Sequence, residues 1–241
     1  NIMQSTLSQR FAEVQRRIAE AAARAHRDPA EITVIGVTKT LSAAQVAEGV
    51  EAGLTSFGEN RLQGVPEKLE ALRRLLGDER ASRLTWHFIG HLQSNKVHPV
   101  LEMFSFIHSL DREKLIDRVD RIAGEMGIVA HCLIQVNVSG ADTQGGVDPE
   151  ALGQLAEYAA NRGSLRVHGL MAIGPNTDDA GEIRRAFRHV RELAREMEAL
   201  HLPGVGMEML SLGMSADYEI AVEEGATHVR IGTAIFGLRR T

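Results

Sequence analysis

Cysteine is almost absent from this chain, since Cys132 is the only one in 241 residues. That excludes an internal disulfide and a cysteine-rich zinc cluster, and it fits a reducing compartment, so the cytoplasm is the expected location. An excess of basic charge is missing too. With a formal net charge of -5 there is no global reason to bind the phosphate backbone of nucleic acid, and a small-molecule partner is expected instead. Near the start, Gln4, Gln9, Arg10, Glu13, Arg16 and Arg17 interrupt any apolar run of signal-peptide or membrane-spanning length, so no targeting segment and no membrane partner are expected. Linkers, low-complexity tracts and charge blocks are also lacking, and residues 1–241 read as one domain.

What the sequence does contain is alternation. Leu7, Phe11, Val14, Ile18 and Ala22 recur every three or four positions, which predicts an amphipathic helix within residues 1–26 that packs on the rest. After it, β-branched apolar runs alternate with polar turns and helical stretches. Strands are expected near Ile32–Val37, Thr55–Phe57, Thr85–Phe88, Phe104–Ile107, Ala130–Val136, Leu165–Leu170, Met207–Leu210 and His228–Ile231. Ser42-Ala43-Ala44-Gln45 reads as a capping box and Asp148-Pro149 as an N-cap followed by proline, while Ile183, Phe187, Val190, Ala194 and Met197 form a core-facing helical stripe. Eight strands joined by helical crossovers predict a single α/β (β/α)8 TIM-type barrel, with an open doubly wound sheet as the competing architecture.

In such a barrel the polar chemistry belongs at the C-terminal ends of the strands. Those ends carry Thr38-Lys39-Thr40, Gly58-Glu59-Asn60, His87 with Gly90-His91, His108-Ser109, Asn137, Met171, Ser211 to Ser215, and Arg230 to Thr233. An amine at a strand mouth among apolar walls has its charged form disfavoured and suits imine chemistry, which singles out Lys39; an ordinary loop lysine is the alternative. Gly213-Met214-Ser215 and Gly232-Thr233 offer backbone N–H groups and hydroxyls after the seventh and eighth strands, the usual barrel site for a phosphate. Strand one neighbours strand eight in a closed barrel, so Lys39 and Arg230 are expected in one mouth, where a phosphate-bearing aldehyde fits both features.

The segments Val37-Thr38-Lys39-Thr40, Phe57-Gly58-Glu59-Asn60, WHFIGHLQSNK from Trp86 to Lys96, and LSLGMSADYEIAVEEGATHVRIGTAIFG from Leu210 to Gly237 resemble the pyridoxal phosphate homeostasis protein family. The resemblance covers nearly the whole chain. It implies a fold-type III barrel similar to the N-terminal domain of alanine racemase, with pyridoxal 5′-phosphate (PLP) as cofactor and Lys39 as its Schiff-base lysine. By the same resemblance Arg230 faces the pyridine nitrogen, while Ser215, Gly232, Thr233 and the Met214 backbone hold the phosphate. Asn60, Met171 and Ser211 line the ring. The family often has Lys-x-Gly after the fifth strand, where this chain reads Thr143-Gln144-Gly145-Gly146, so a second lysine that receives or passes on PLP is not expected here.

PLP drives amino-acid chemistry by drawing electrons into a protonated ring. Arginine only donates at neutral pH, so Arg230 weakens that electron sink. Racemisation also needs a second acid/base, and Tyr158 and Tyr218, the only tyrosines, fall in helices of the outer ring. The expectation is therefore a PLP carrier or buffer of PLP homeostasis with little or no turnover, no catalytic residue and no metal. It is expected to be a monomer that makes transient contact with PLP-dependent apo-enzymes. The competing readings are a Schiff-base aldolase or weak racemase on Lys39 with His87 or His91 as proton shuttle, and a metal hydrolase on His87, His91 and His108. A docking or nucleotide-phosphate patch on Gln93–His98 with Lys96 is the third. Cys132 is expected to be a buried apolar residue and Glu59 to orient its neighbours.

Overall fold

Eight parallel strands pair in sequence order and close on themselves in the computed structural model, which describes residues 5–142 and 145–238. They are β1 (Thr33–Val37), β2 (Ser56–Glu59), β3 (Thr85–Phe88), β4 (Phe106–Leu110), β5 (Ala130–Gln135), β6 (Leu165–Met171), β7 (Val205–Ser211) and β8 (His228–Ile231). The barrel expectation is met and the open sheet is excluded, because β1 pairs with β8 from Thr33↔His228 to Gly36↔Ile231. Strand positions match the apolar runs closely except at β4. There Phe104 ends the preceding helix, donating its N–H to Val100 O, so bonding to β3 begins only at Ser105, which donates to Trp86 O, and the strand itself at Phe106. His108 and Ser109 therefore lie inside a strand and not after it.

The opening helix α1 (Leu7–Arg24) begins at a capping box between Thr6 and Gln9 and buries Leu7, Phe11, Val14, Ile18 and Ala22, as the spacing predicts. It packs against helices that follow β7 and β8. Arg10 Nε donates to Ile235 O at 2.7 Å, and Arg27 Nη1 donates to Val222 O and Ala226 O at 2.7 and 2.8 Å. These bonds fasten the start of the chain to the short helix after β8, to the end of the helix after β7 and to the turn that enters β8.

The crossovers are α2 (Ala43–Glu51), α3 (Val65–Leu76), α4 (Asp78–Ser82), α5 (Val97–Met103), α6 (Glu113–Met126), α7 (Leu152–Ala159), α8 (Ala180–Ala199), α9 (Tyr218–Glu223) and α10 (Thr233–Phe236). Ser42 and Gln45 form the expected capping box, and the α8 stripe Ile183, Phe187, Val190, Ala194 and Met197 is buried. Asp148 does stand before Pro149, yet its side chain caps nothing, and a short 3-10 turn at Pro149–Ala151 precedes α7. Cys132 is fully buried in β5, which pushes its thiol up to about 12. Among the described residues no helix is long and apolar enough to cross a membrane.

Candidate functional site

The chain leaves β1 through a tight turn. Leu41 N–H donates to Thr38 O at 3.0 Å, and Thr40 takes the left-handed conformation at φ 65, unusual for a β-branched residue. Lys39 sits in this turn between a fully buried Thr38 and the strained Thr40. Its side chain is exposed, so apolar walls do not enclose it. Thr38, in contrast, is held hard: its Oγ1 donates to Glu59 Oε1 at 2.9 Å, and its carbonyl accepts a second bond, 2.8 Å from Lys68 Nζ. Lys68 also pairs with Glu59 Oε1 at 2.6 Å.

Across the β1–β8 seam, Arg230 is buried in the barrel interior, within hydrogen-bonding reach of the ends of β6 and β7. Its Nη1 donates to Ser211 O and Ser211 Oγ, both at 2.7 Å, and its Nη2 donates to Ala172 O at 2.9 Å. Burial lowers Arg230 to about 10 against the pull of Asp217, which still leaves it cationic at neutral pH. Ser211 Oγ also meets His108 Nδ1 at 3.0 Å, and His108 Nε2 meets His87 Nδ1 at 2.9 Å. Burial and the neighbouring cationic forms push His108 well below its ordinary value, and burial with His228 pushes His87 down to about 3. Both rings are therefore neutral. Each contact of the chain pairs one donor with one acceptor if Ser211 accepts from Arg230 and donates to His108 Nδ1, with His108 Nε2–H donating to His87 Nδ1.

The loops after β7 and β8 lie together. Gly213 is required by its backbone, at φ 94, and by space, because a Cβ there would stand 2.6 Å from Ala221 Cβ. Gly232 is different: a Cβ would meet only Val37, at 3.6 Å, so the protein itself leaves that volume open beside the end of β1. Ser215 Oγ accepts from Ala234 N at 3.2 Å and so joins the two loops. Thr233 opens α10 with its first-turn N–H outside the helix's own bonding. The Met214 amide is already engaged, donating to Asp217 Oδ1 at 2.7 Å.

Asn60 follows β2, with its Oδ1 buried and without a partner, and Met171 closes β6. A groove of about 700 Å³ opens beside the mouth, lined among others by Asn60, Arg61, Phe88, His91 and Lys96. Lys96 ends a 3-10 turn at Ser94–Lys96 that runs into α5, so the predicted Gln93–His98 loop is largely helical. His91 is exposed on this groove while His87 and His108 face each other inside the barrel, so the three do not converge. No cluster of three His, Cys, Asp or Glu suited to a metal exists among the described residues. Gln144 lies outside them.

Sequence reasoning missed the two networks that hold the named residues. Lys68 carries a readable signal, since it falls three residues after Val65 and four before Leu72 on the buried stripe of α3, where a lysine is out of place. The Ser211–His108 contact joins residues far apart in the chain and becomes visible only once the barrel is closed.

The alanine racemase N-terminal domain family matches residues 11–240. Two relatives called pyridoxal phosphate homeostasis protein span almost the full length. That of Pseudomonas aeruginosa is 44% identical over 98% of this chain and 96% of its own, and that of Aquifex aeolicus is 42% identical over 96% and 98%. Among solved structures, PipY of Synechococcus elongatus with PLP bound is 38% identical at a TM-score of 0.75, covering 91% of this chain and 100% of that one. The β1 turn, the arginine of β8 and the paired glycine loops thus occur in a chain that belongs to the pyridoxal phosphate homeostasis protein family, within the alanine racemase N-terminal domain fold.

Proposed function

We propose that this protein binds PLP at the β1–β8 mouth through a Schiff base on Lys39 and acts as a carrier or buffer with little or no turnover. Pairing of β1 with β8 is the observation that carries the reading, because it sets the Lys39 turn beside the volume that Gly232 leaves open. The residues present fit the group. Gly232 frees space next to Val37, Thr233 follows it at the first turn of α10, Ser215 Oγ is bonded to the amide of Ala234 in that same turn, and Asn60 Oδ1 is a buried acceptor that still needs a donor.

When bound, the cofactor supplies an aldehyde and an aromatic electron sink. Lys39 Nζ would be the amine that holds the cofactor at its aldehyde. Ser215, Gly232 and Thr233 would hold the phosphate; Asn60, Met171 and Ser211 would line the ring. With Met214's amide committed to Asp217, that residue's part is to shape the loop. Arg230 would donate at the ring nitrogen and withhold a proton from it, since its own charge is retained after burial.

Neither tyrosine supplies a second acid/base. Tyr158 OH is bound to Asp117 at 2.8 and 2.9 Å, and the Tyr218 phenol faces Arg17 of α1. Retention without turnover is what these residues support. Transient docking of apo-enzymes that take up the cofactor follows from the same reading, with Lys39 exposed enough to be reached.

The experiment is an absorbance spectrum of purified protein titrated with PLP. An imine band that is lost in Lys39→Ala, with no racemisation of amino acids by the loaded wild type, is the expected result. A band that persists in Lys39→Ala, or steady-state racemisation, would overturn the proposal.

A further inference from the structure

Lys68 and Glu59 form the most deeply buried ion pair among the described residues, with side chains 12% and 4% exposed. It is also unusual in type. The chain has four lysines, Lys39, Lys68, Lys96 and Lys114, and the other ion pairs among the described residues are made by arginine or histidine. A buried ion pair contributes little net stability compared with apolar side chains of the same size, so stability alone does not account for it. What it does contribute is direction.

The ammonium of Lys68 donates to two acceptors, Glu59 Oε1 at 2.6 Å and Thr38 O at 2.8 Å. Thr38 O is the same carbonyl that closes the turn around Lys39 by accepting Leu41 N–H at 3.0 Å. Thr38 Oγ1 completes a triangle by donating to Glu59 Oε1 at 2.9 Å. The residue before Lys39 is thereby held through its carbonyl and its hydroxyl, while Thr40 after it is kept at φ 65. Such a conformation persists only where its surroundings over-determine it. Glu59 comes from β2 and Lys68 from α3, so the turn is referenced to two neighbouring elements.

We infer that Lys68 and Glu59, acting through Thr38, are positioning residues for Lys39: they fix the backbone from which its amine approaches the cofactor aldehyde. This rests on the reading of Lys39 as the Schiff-base residue. Lys68 touches no reacting atom. Its effect passes through one carbonyl, as a charge-assisted bond that a neutral side chain cannot replace.

The test compares full-length Lys68→Met, Thr38→Val and Thr38→Ser with wild type and Lys39→Ala. Two measurements are made: hydrogen exchange of the Leu41 amide without cofactor, and PLP uptake followed by the imine band. In Lys68→Met and Thr38→Val, Leu41 exchange should rise and PLP affinity fall by about ten-fold each, the worth of one bond to a charged group. Core amides of β5 and α8 should be unchanged, and Thr38→Ser, which keeps the hydroxyl, should stay near wild type.

If Lys39→Ala loses the band while Lys68→Met and Thr38→Val keep wild-type exchange and affinity, the positioning role is wrong and the Lys39 reading survives. A general rise in exchange across the barrel would make the pair merely structural and equally overturn the inference. Persistence of the band in Lys39→Ala would remove the reading and the inference together. Should Lys68→Met fail to fold, the Thr38 pair decides.

Discussion

Arg230 and Ser211 are joined twice, since one guanidinium nitrogen donates to both the carbonyl and the hydroxyl of the serine at 2.7 Å. The same hydroxyl reaches His108 Nδ1 at 3.0 Å, so a single oxygen links the arginine of β8 to the histidines of the barrel interior. Ser211→Ala removes that link and leaves buried N–H and ring-nitrogen groups without partners. The expected loss is about 1–3 kcal/mol of unfolding free energy. Urea unfolding of the cofactor-free protein checks it, and a loss below the error of the measurement would show that Arg230 does not depend on the serine hydroxyl.

The buried histidines predict acid sensitivity. His87 titrates at about 3 and His228 at about 4 in the folded protein, against an ordinary 6.5, chiefly because burial disfavours their charged forms. Below pH 6.5 the unfolded chain takes up protons that the folded chain refuses, so stability falls as pH is lowered from there towards the folded values. Above 6.5 both states are neutral and the contribution is complete. Each group can add a slope of roughly 1.4 kcal/mol per pH unit within that window. A urea midpoint that is level above neutrality and drops steadily between about pH 6 and pH 4 is expected, and a flat profile over that range would count against burial of these rings.

Much of this was readable from the residues. The strands were legible because a strand buried on both faces of a barrel is a continuous apolar run, and Ile35, Phe57, Ile107 and Leu170 supply such runs. Lys39 and the glycine loops were legible because they stand directly after those runs. The β4 boundary was not, since Phe104 is as apolar as a strand residue while serving to close α5. Nor were the partners of Arg230 and Thr38, which come from other strands and helices. Periodicity reports which face a residue occupies and carries nothing about which distant residue it meets.

Glu224 binds three arginines of one helix. Its side chain is 4% exposed and lies 3.1 Å from Arg184, 3.1 Å from Arg188 and 3.2 Å from Arg191. Burial raises its pKa, but the bonds from Arg188 and Arg184 outweigh that and leave it lowered. Glu224→Gln should cost about 1–3 kcal/mol at neutral pH, less than a fully buried pair because the arginines remain partly hydrated. A carboxylate with a lowered folded pKa stabilises above its ordinary 4.5 and loses that contribution as pH falls below it. The gap between variant and wild type should therefore narrow on acidification, and a constant gap in denaturant titrations at pH 7 and pH 3 would contradict the charge-based account.

Two glycines in adjacent loops should respond oppositely to the same substitution. In Gly213→Ala the new Cβ would press on Ala221 Cβ at 2.6 Å and Tyr218 Cα at 2.9 Å, at a φ of 94 that side chains resist, and neither backbone can move away without shifting α9. Loss of about 2–4 kcal/mol is expected, with cofactor uptake weakened only as far as the fold is. In Gly232→Ala the Cβ meets Val37 at 3.6 Å, an ordinary contact, so the apo protein should melt within a few degrees of wild type. That methyl would nevertheless fill the volume assigned to the phosphate, and PLP affinity should fall by at least about ten-fold. Thermal melts paired with PLP titrations separate the two effects. If Gly232→Ala binds PLP as tightly as wild type, the phosphate lies elsewhere and the β7–β8 loops have been assigned the wrong ligand.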